Sequence, residues 1–266
     1  MKKERVDILL VQRGFFDSRE KAKRAIMAGL VYNDHDLLDK PGTKVDIEMN
    51  LYVKGDTCKY VSRGGLKLEK AINEFHLDLN NKIMLDIGSS TGGFTDCGLM
   101  NGVQFVYALD VGTNQLAWKL RNDERVKVME QTNFRYVEND RFDHGRPDFT
   151  SIDVSFISLK HIFPKLFEIL SDDGEVVALI KPQFEAGKEQ VGKKGIVKDP
   201  KVHADVLFHV LGYANLEGFC LEELTYSPIT GGTGNIEFLG LFRKGKQVKK
   251  FDFNEIAILA SEHFGK

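Results

Sequence analysis

Residues 85–96 read LDIGSSTGGFTD, and this stretch decides the fold. A short apolar run carrying Asp86 meets Gly88, Gly92 and Gly93, and a helical pattern follows, the signature of a strand, a tight turn and a helix start. Counted from Gly88, the spacing of Gly93 and Thr95 fits G-x-x-x-x-G-K-[ST], but Phe94 stands where the lysine belongs. A triphosphate needs that cation as well as backbone amides. The dinucleotide pattern G-x-G-x-x-G is not met either. The loop, with Ser89 and Ser90 inside it, suits one weak anion such as an amino-acid carboxylate at a helix N-terminus. Asp86 is expected to accept a hydrogen bond from a cationic amine.

Downstream, short apolar runs alternate with helix-length segments: "KIMLDIG", "VQFVYALDV", "VKVMEQ", "DFTSIDVSF", "EVVALIK", "CLEELTY" and "IEFLGLF". Such alternation predicts an α/β fold, Rossmann-like, with a mostly parallel seven-stranded sheet covered by helices on both faces. The last two runs flank "SPITGGTGN" and predict an antiparallel hairpin at one edge. Ligands of such sheets bind at the carboxyl ends of the strands. An acidic residue about 20 positions past the loop serves ribose hydroxyls in these folds. "ALDVG" supplies Asp110, with Val111 beside it, and Asn133 and Phe134 follow the third strand. A ligand with a carboxylate, an amine, a ribose and an adenine is expected, and S-adenosylmethionine has all four.

The fourth strand ends in "SIDVSF" and the fifth in "ALIKPQFE". Neither an N/D-P-P-Y/F sequence nor a Pro-Cys nucleophile is present, so base-amine and base-carbon methylation are disfavoured. Asp153 and Lys181 at adjacent strand ends suit a hydroxyl nucleophile instead. Lys181 either accepts the hydroxyl proton or orients the hydroxyl while Asp153 tunes its charge. Lys67 in "SRGGLKLEK" and Glu237 in "GNIEFLGLF" are candidates for an outer ring, although spacing alone does not separate them from solvated rim residues.

Residues 1–59 read as a separate small α+β unit, 60–245 as the sheet domain, and 246–266 as a helical tail. In "DSREKAKRAIMAGLVYND", Asp17 or Ser18 can cap a helix with Ala22, Ala25 and Ile26 on one side and Arg19, Lys21, Lys23 and Arg24 on the other. Gly29 is placed to end it. Strands are expected in "LVYN" and "KVDIEMNLYV", with a turn at Asn33 and Asp34, and Gly55 lies in a polar passage between the units. The basic helix is a plausible RNA-binding face; an ordinary solvated face accounts for it equally well.

The net charge of -2 argues neither for nor against a polyanionic partner, so only local clustering bears on it. Cys58, Cys97 and Cys220 are far apart and the seven histidines lack paired spacing, so no disulfide framework and no metal site is expected. No run of roughly 18 apolar residues occurs and the N-terminus does not resemble a signal peptide, which points to a cytoplasmic location.

Taken together, "RVDILLVQRGFFDSREKAKRAIMAGLVYN", "KYVSRGGLKLEKA", "LDIGSSTGGFTDCGL", "ALDVGTNQLAWKLR", "SIDVSFISL", "ALIKPQFEAGKEQVGKKGIVKDP" and "SPITGGTGNIEFL" resemble the TlyA-type rRNA 2'-O-methyltransferases, also called hemolysins, whose catalytic domain is similar to FtsJ/RrmJ enzymes. The resemblance covers nearly the whole chain. It implies an alpha-L RNA-binding module at the N-terminus, S-adenosylmethionine as cofactor, and a Lys-Asp-Lys-Glu tetrad carried by Lys67, Asp153, Lys181 and Glu237. It implies the ribose of a cytidine in ribosomal RNA as substrate; a target within structured RNA is then expected to be extruded from its stack to reach the site. RNA contacts are then expected from Arg5, Arg19, Lys23 and Arg24; Lys188, Lys193, Lys194 and Lys198, in the long loop after Lys181, are placed to close over a phosphate backbone, although a merely solvated loop accounts for them equally well. A membrane-active hemolysin and a non-catalytic ribosome-assembly factor are the competing readings.

Overall fold

The computed structural model describes residues 3–13, 15–16, 18–33, 36–47, 49, 51–54 and 59–265. Asp17, Asp34, Gly55 and Cys58 lie outside them. The chain forms two compact units, 1–59 and 60–266.

In the first unit, β1 (Lys3–Arg5) leads into α1 (Val6–Gln12), followed by α2 (Arg19–Met27), β2 (Val31–Asn33), β3 (Asp36–Leu37), β4 (Lys44–Asp46) and β5 (Leu51–Val53). β1 pairs antiparallel with β4, and β3, β2 and β5 make a second small sheet. Apolar residues at helical spacing, Val6, Leu9 and Leu10 from α1 and Ala22, Ala25 and Ile26 from α2, meet Val31 and Leu51 in one core. Ser18 caps α2, its hydroxyl accepting from the Lys21 amide at 3.3 Å, and Gly29 stops the helix region in the left-handed conformation at φ +70°.

The second unit begins with α3 (Gly64–Glu74) and continues β6 (Ile83–Ile87), α4 (Gly93–Met100), β7 (Phe105–Leu109), α5 (Trp118–Arg121), β8 (Val126–Met129), β9 (Phe149–Ile152), α6 (Phe163–Ile169), β10 (Glu175–Ile180), α7 (Pro182–Glu185), α8 (Pro200–Leu216), β11 (Phe219–Tyr226), β12 (Phe238–Lys244) and α9 (Phe253–His263). The sheet order is β11-β12-β10-β9-β6-β7-β8. β8, β7, β6, β9 and β10 are parallel, as their near-continuous apolar runs require when both faces are covered. Leu85, Ile87, Tyr107 and Ile152 of these strands share a core with Phe163, Leu166, Val206 and Val210 of the helices.

The antiparallel pair is present, with an arrangement that the sequence does not show. β12 runs antiparallel to both neighbours and lies between β10 and β11, so β11 forms the edge on that side and β12 is interior. Burial explains the choice. Phe238, Leu239, Leu241 and Phe242 are buried on both faces of β12, whereas β11 alternates toward exposure after Leu221. The register pairs Ile180 with Phe238, which sets the residue after β10 and the residue before β12 side by side at one edge of the sheet. The tail closes with α9, capped by Asp252 on the Glu255 amide at 3.0 Å, with Ala257 and Ala260 fully buried.

Candidate active site

The glycine loop leaves β6 and passes between the ends of β7 and β9. Gly88 and Ser89 donate their amides to Leu109 O at 2.8 and 3.0 Å, which ties the loop to β7. Gly88 has φ +86°, and a Cβ there would lie 2.4 Å from Asp153 O, so only glycine lets the two strand ends approach. Asp110 completes the turn. Its Oδ2 accepts from the Ser90 amide at 2.8 Å and its Oδ1 from the Gly112 amide at 2.7 Å, with further lone pairs remaining on a carboxylate.

Asp86 differs from expectation. It is fully buried behind the loop, with Oδ2 accepting from the Thr95 amide at 3.0 Å and hydroxyl at 2.7 Å, and Oδ1 accepting from the Ser151 hydroxyl at 2.8 Å. It lines neither cavity below and fastens α4 and β9 to β6. Burial pushes its carboxyl up to about 6, while hydrogen bonds from Thr95 and Ser151 act the other way and nearby Asp153 adds to the rise.

Two cavities meet over the strand ends, sharing Gly88, Ser90 and Asp153. One, of about 570 Å³, is lined by Asp110, Val111, Asn133 and Phe134 with apolar walls from Ile87, Leu109 and Ile162. The other, of about 490 Å³, is lined by Lys67, Arg63, Ser89, Gly93, Phe94 and the segment from Ile229 to Gly232. Gly92 is the left-handed residue that precedes α4, at φ +95°.

Lys67, Asp153, Lys181 and Glu237 form two ion pairs. Lys67 Nζ lies 2.6 Å from Glu237 Oε2, and both side chains are buried. Lys181 Nζ lies 2.5 Å from Asp153 Oδ1 and donates to the Ser155 hydroxyl at 3.0 Å. Glu237 stands just before β12 rather than on it. Lys67 on α3 and Asp153 after β9 both face the second cavity. An ammonium held by one carboxylate, with a hydroxyl beside it, can align a substrate hydroxyl and manage its proton.

Sequence reasoning overlooked Ser155 and an aromatic pair. Phe156 is 91% exposed at φ +63°, and its ring centroid is 4.9 Å from that of Phe184. Glu185 holds this arrangement, accepting from the Ser158 hydroxyl at 2.6 Å and the Leu159 amide at 2.8 Å. An aromatic that is exposed and held at positive φ is costly, and neither property is visible in a string of letters.

The basic residues divide into two groups. In the first unit Arg5 and Arg19 both bind buried Asp7, at 2.9 Å each, and hold its carboxyl down to about 2, chiefly through the Arg5 hydrogen bond. Lys23 pairs with Glu20 at 2.8 Å, and Arg24 is exposed. In the second unit Lys188, Lys193, Lys194 and Lys198 are exposed and have no carboxylate partner among the described residues. Among those residues there is also no group of side chains able to hold a metal ion, and no helix is long and apolar enough to cross a membrane.

Comparison with known proteins places this geometry in a family. The FtsJ-like methyltransferase model matches residues 60–244, and the S4 domain model matches 4–51. YqxC of Bacillus subtilis, a candidate rRNA methyltransferase, is 62% identical over 238 residues, 90% of this chain and 85% of that protein. The 16S/23S rRNA (cytidine-2'-O)-methyltransferase TlyA of Mycobacterium tuberculosis is 42% identical over 238 residues, 89% of this chain and 88% of the relative. The solved structure of a candidate hemolysin from Streptococcus thermophilus is 53% identical, with a TM-score of 0.81 over 100% of this chain and 98% of that one. With the glycine loop, the inserted antiparallel strand and the two lysine–carboxylate pairs in place, the chain belongs to the FtsJ-like methyltransferases of the TlyA type, its catalytic domain preceded by an S4 domain.

Proposed function

We propose that this protein transfers a methyl group from S-adenosylmethionine to the 2'-hydroxyl of a cytidine in ribosomal RNA. The observation that carries the reading is the paired arrangement Lys181–Asp153 and Lys67–Glu237 at the strand ends. A base amine would be served by acceptors alone, whereas a ribose hydroxyl needs alignment and a path for its proton. The name of the M. tuberculosis relative gives the substrate class, and the S4 domain supplies an RNA-directed unit.

The donor set fits the cofactor. The larger cavity has apolar walls, the Asp110 carboxylate and the Asn133 amide, a combination suited to a purine nucleoside. Gly93 and Phe94, at the start of α4, line the second cavity, where the helix N-terminus favours a carboxylate. Bound S-adenosylmethionine supplies a methyl group activated on a sulfonium. The residues of this chain then position the nucleophile: Lys181, fixed by Asp153 and Ser155, meets the hydroxyl, while Lys67 and Glu237 hold the floor of the adjoining cavity.

Mapping ribose methylation in rRNA with and without the protein tests the function, large-subunit RNA first. Lys181→Ala is expected to lower kcat by about 10²-fold or more while cofactor and RNA affinities stay near wild type. Full activity of that variant removes Lys181 from the reaction. Liposome leakage by the protein without cofactor would favour the hemolysin name carried by the S. thermophilus relative.

A further inference from the structure

Asn235, two residues before Glu237, is fully buried, and its amide is occupied on both sides. Oδ1 accepts from the Val197 amide at 2.9 Å, and Nδ2 donates to Gly195 O at 2.8 Å and to Thr233 Oγ1 at 3.0 Å. Its backbone carbonyl accepts from the Gly231 amide at 2.9 Å. One residue therefore closes two loops that are about 40 positions apart in sequence, a separation already spanned by the Gly195 bond.

The first loop carries the exposed lysines. Gly192 donates to Ile196 O at 3.0 Å, which folds Lys193 and Lys194 into a tip, and Lys194 sits in the left-handed region at φ +70°. The second loop, through Ile229 to Gly232, lines the cavity that Lys67 faces. There Gly231 presses on the tetrad, since a Cβ on it would lie 2.5 Å from Glu237 Oε1. A buried amide that loses its partners bears a large desolvation cost. Neither loop can shift without stranding Asn235, and a shift of the second loop moves the surroundings of Glu237.

We propose that Asn235 is a positioning residue that couples the lysine loop to the Glu237–Lys67 pair, so that RNA phosphates held by Lys193 and Lys194 order the tetrad. The proposal rests on the methyltransferase reading above, and it concerns how substrate engagement reaches the site.

The test uses the full chain, methyl transfer to ribosomal RNA, and binding of that RNA measured across a salt series. Asn235→Ala, which removes no charge, is expected to lower kcat by on the order of tenfold and raise KM for RNA. It should also flatten the dependence of log affinity on log salt by about 1 to 2, as Lys193→Ala with Lys194→Ala does. S-adenosylhomocysteine affinity should not change, and the triple variant should be no worse than Asn235→Ala alone. Asn235→Asp keeps the acceptor for Val197 but sets a charge against Gly195 O, and it carries the same test if the alanine variant fails to fold. A merely structural role would leave the salt dependence intact and make the effects multiply; either result overturns the coupling. If wild type transfers no methyl at all, the proposed function fails. If it transfers methyl with a salt dependence indifferent to these variants, only the coupling fails.

Discussion

Asp86 and Asp110 are both carboxylates at strand ends beside the same loop, yet their surroundings give them different work. Asp110 faces the larger cavity, whereas Asp86 is sealed behind it. Asp110→Ala is therefore expected to weaken S-adenosylhomocysteine binding by about tenfold, and Asp86→Asn to leave it near wild type, as read by calorimetric titration. An amide can keep the Thr95 bonds and donate to Ser151. Asp86 also gives a pH signature. With its folded value raised to about 6, the folded state holds a proton that the unfolded chain has released between its ordinary 3.8 and about 6, so this contribution to stability is present at low pH and is lost as pH rises through about 6. Thermal melts from pH 4 to 7 should show wild type losing stability relative to Asp86→Asn, by at most about 3 kcal/mol. Lys67 and Glu237 pose the opposite case. Glu237→Ala leaves a buried ammonium unpaired and should cost about 3–5 kcal/mol, while Lys67→Met with Glu237→Leu should restore much of the stability and none of the activity.

At the scale of elements, the contact of α3 with α4 decides where Lys67 points. A Cβ on Gly93 would lie 2.8 Å from the Gly65 backbone nitrogen and 2.3 Å from Ser62 Oγ. Gly93→Ala must push α3 away, so kcat should fall more than cofactor affinity, a split visible in steady-state kinetics beside a binding titration. This scale is also where the sequence is most readable. Each of the seven apolar runs is a strand; those buried on both faces, such as β10 and β9, leave unbroken apolar signals. The position of β12 inside the sheet was not legible, since burial on both faces of Phe238 and Phe242 looks in sequence like any other apolar run. Asp86 is ambiguous in sequence for a related reason: a carboxylate before a glycine turn has the same letter whether it faces a ligand or, as here, a threonine hydroxyl. Phe156 and Asn235 gave no local signal, because their importance comes from backbone angle and from partners distant in the chain.

For the whole molecule, a net charge of -2 conceals a separation of roles. The S4 unit spends two of its arginines on buried Asp7, so Arg24, rather than Arg5 and Arg19, is the cation whose loss should matter most for RNA and least for folding. Arg24→Glu is expected to weaken rRNA binding and reduce its salt dependence, with cofactor affinity unchanged; unaltered RNA binding would show that this helix face is solvated only. Arg5→Ala should instead lower the melting temperature of the S4 unit. The reversed strand has a consequence for timing. β12 is the last strand of the sheet to be synthesised, yet it occupies an interior place beside β10 and follows directly on Glu237. A chain still emerging from the ribosome has every residue of the glycine loop, Asp153 and Lys181, but lacks the partner of Lys67 and an interior strand. The order of translation thus withholds the Lys67–Glu237 pair until residue 237 has been made, after all the other residues of the site.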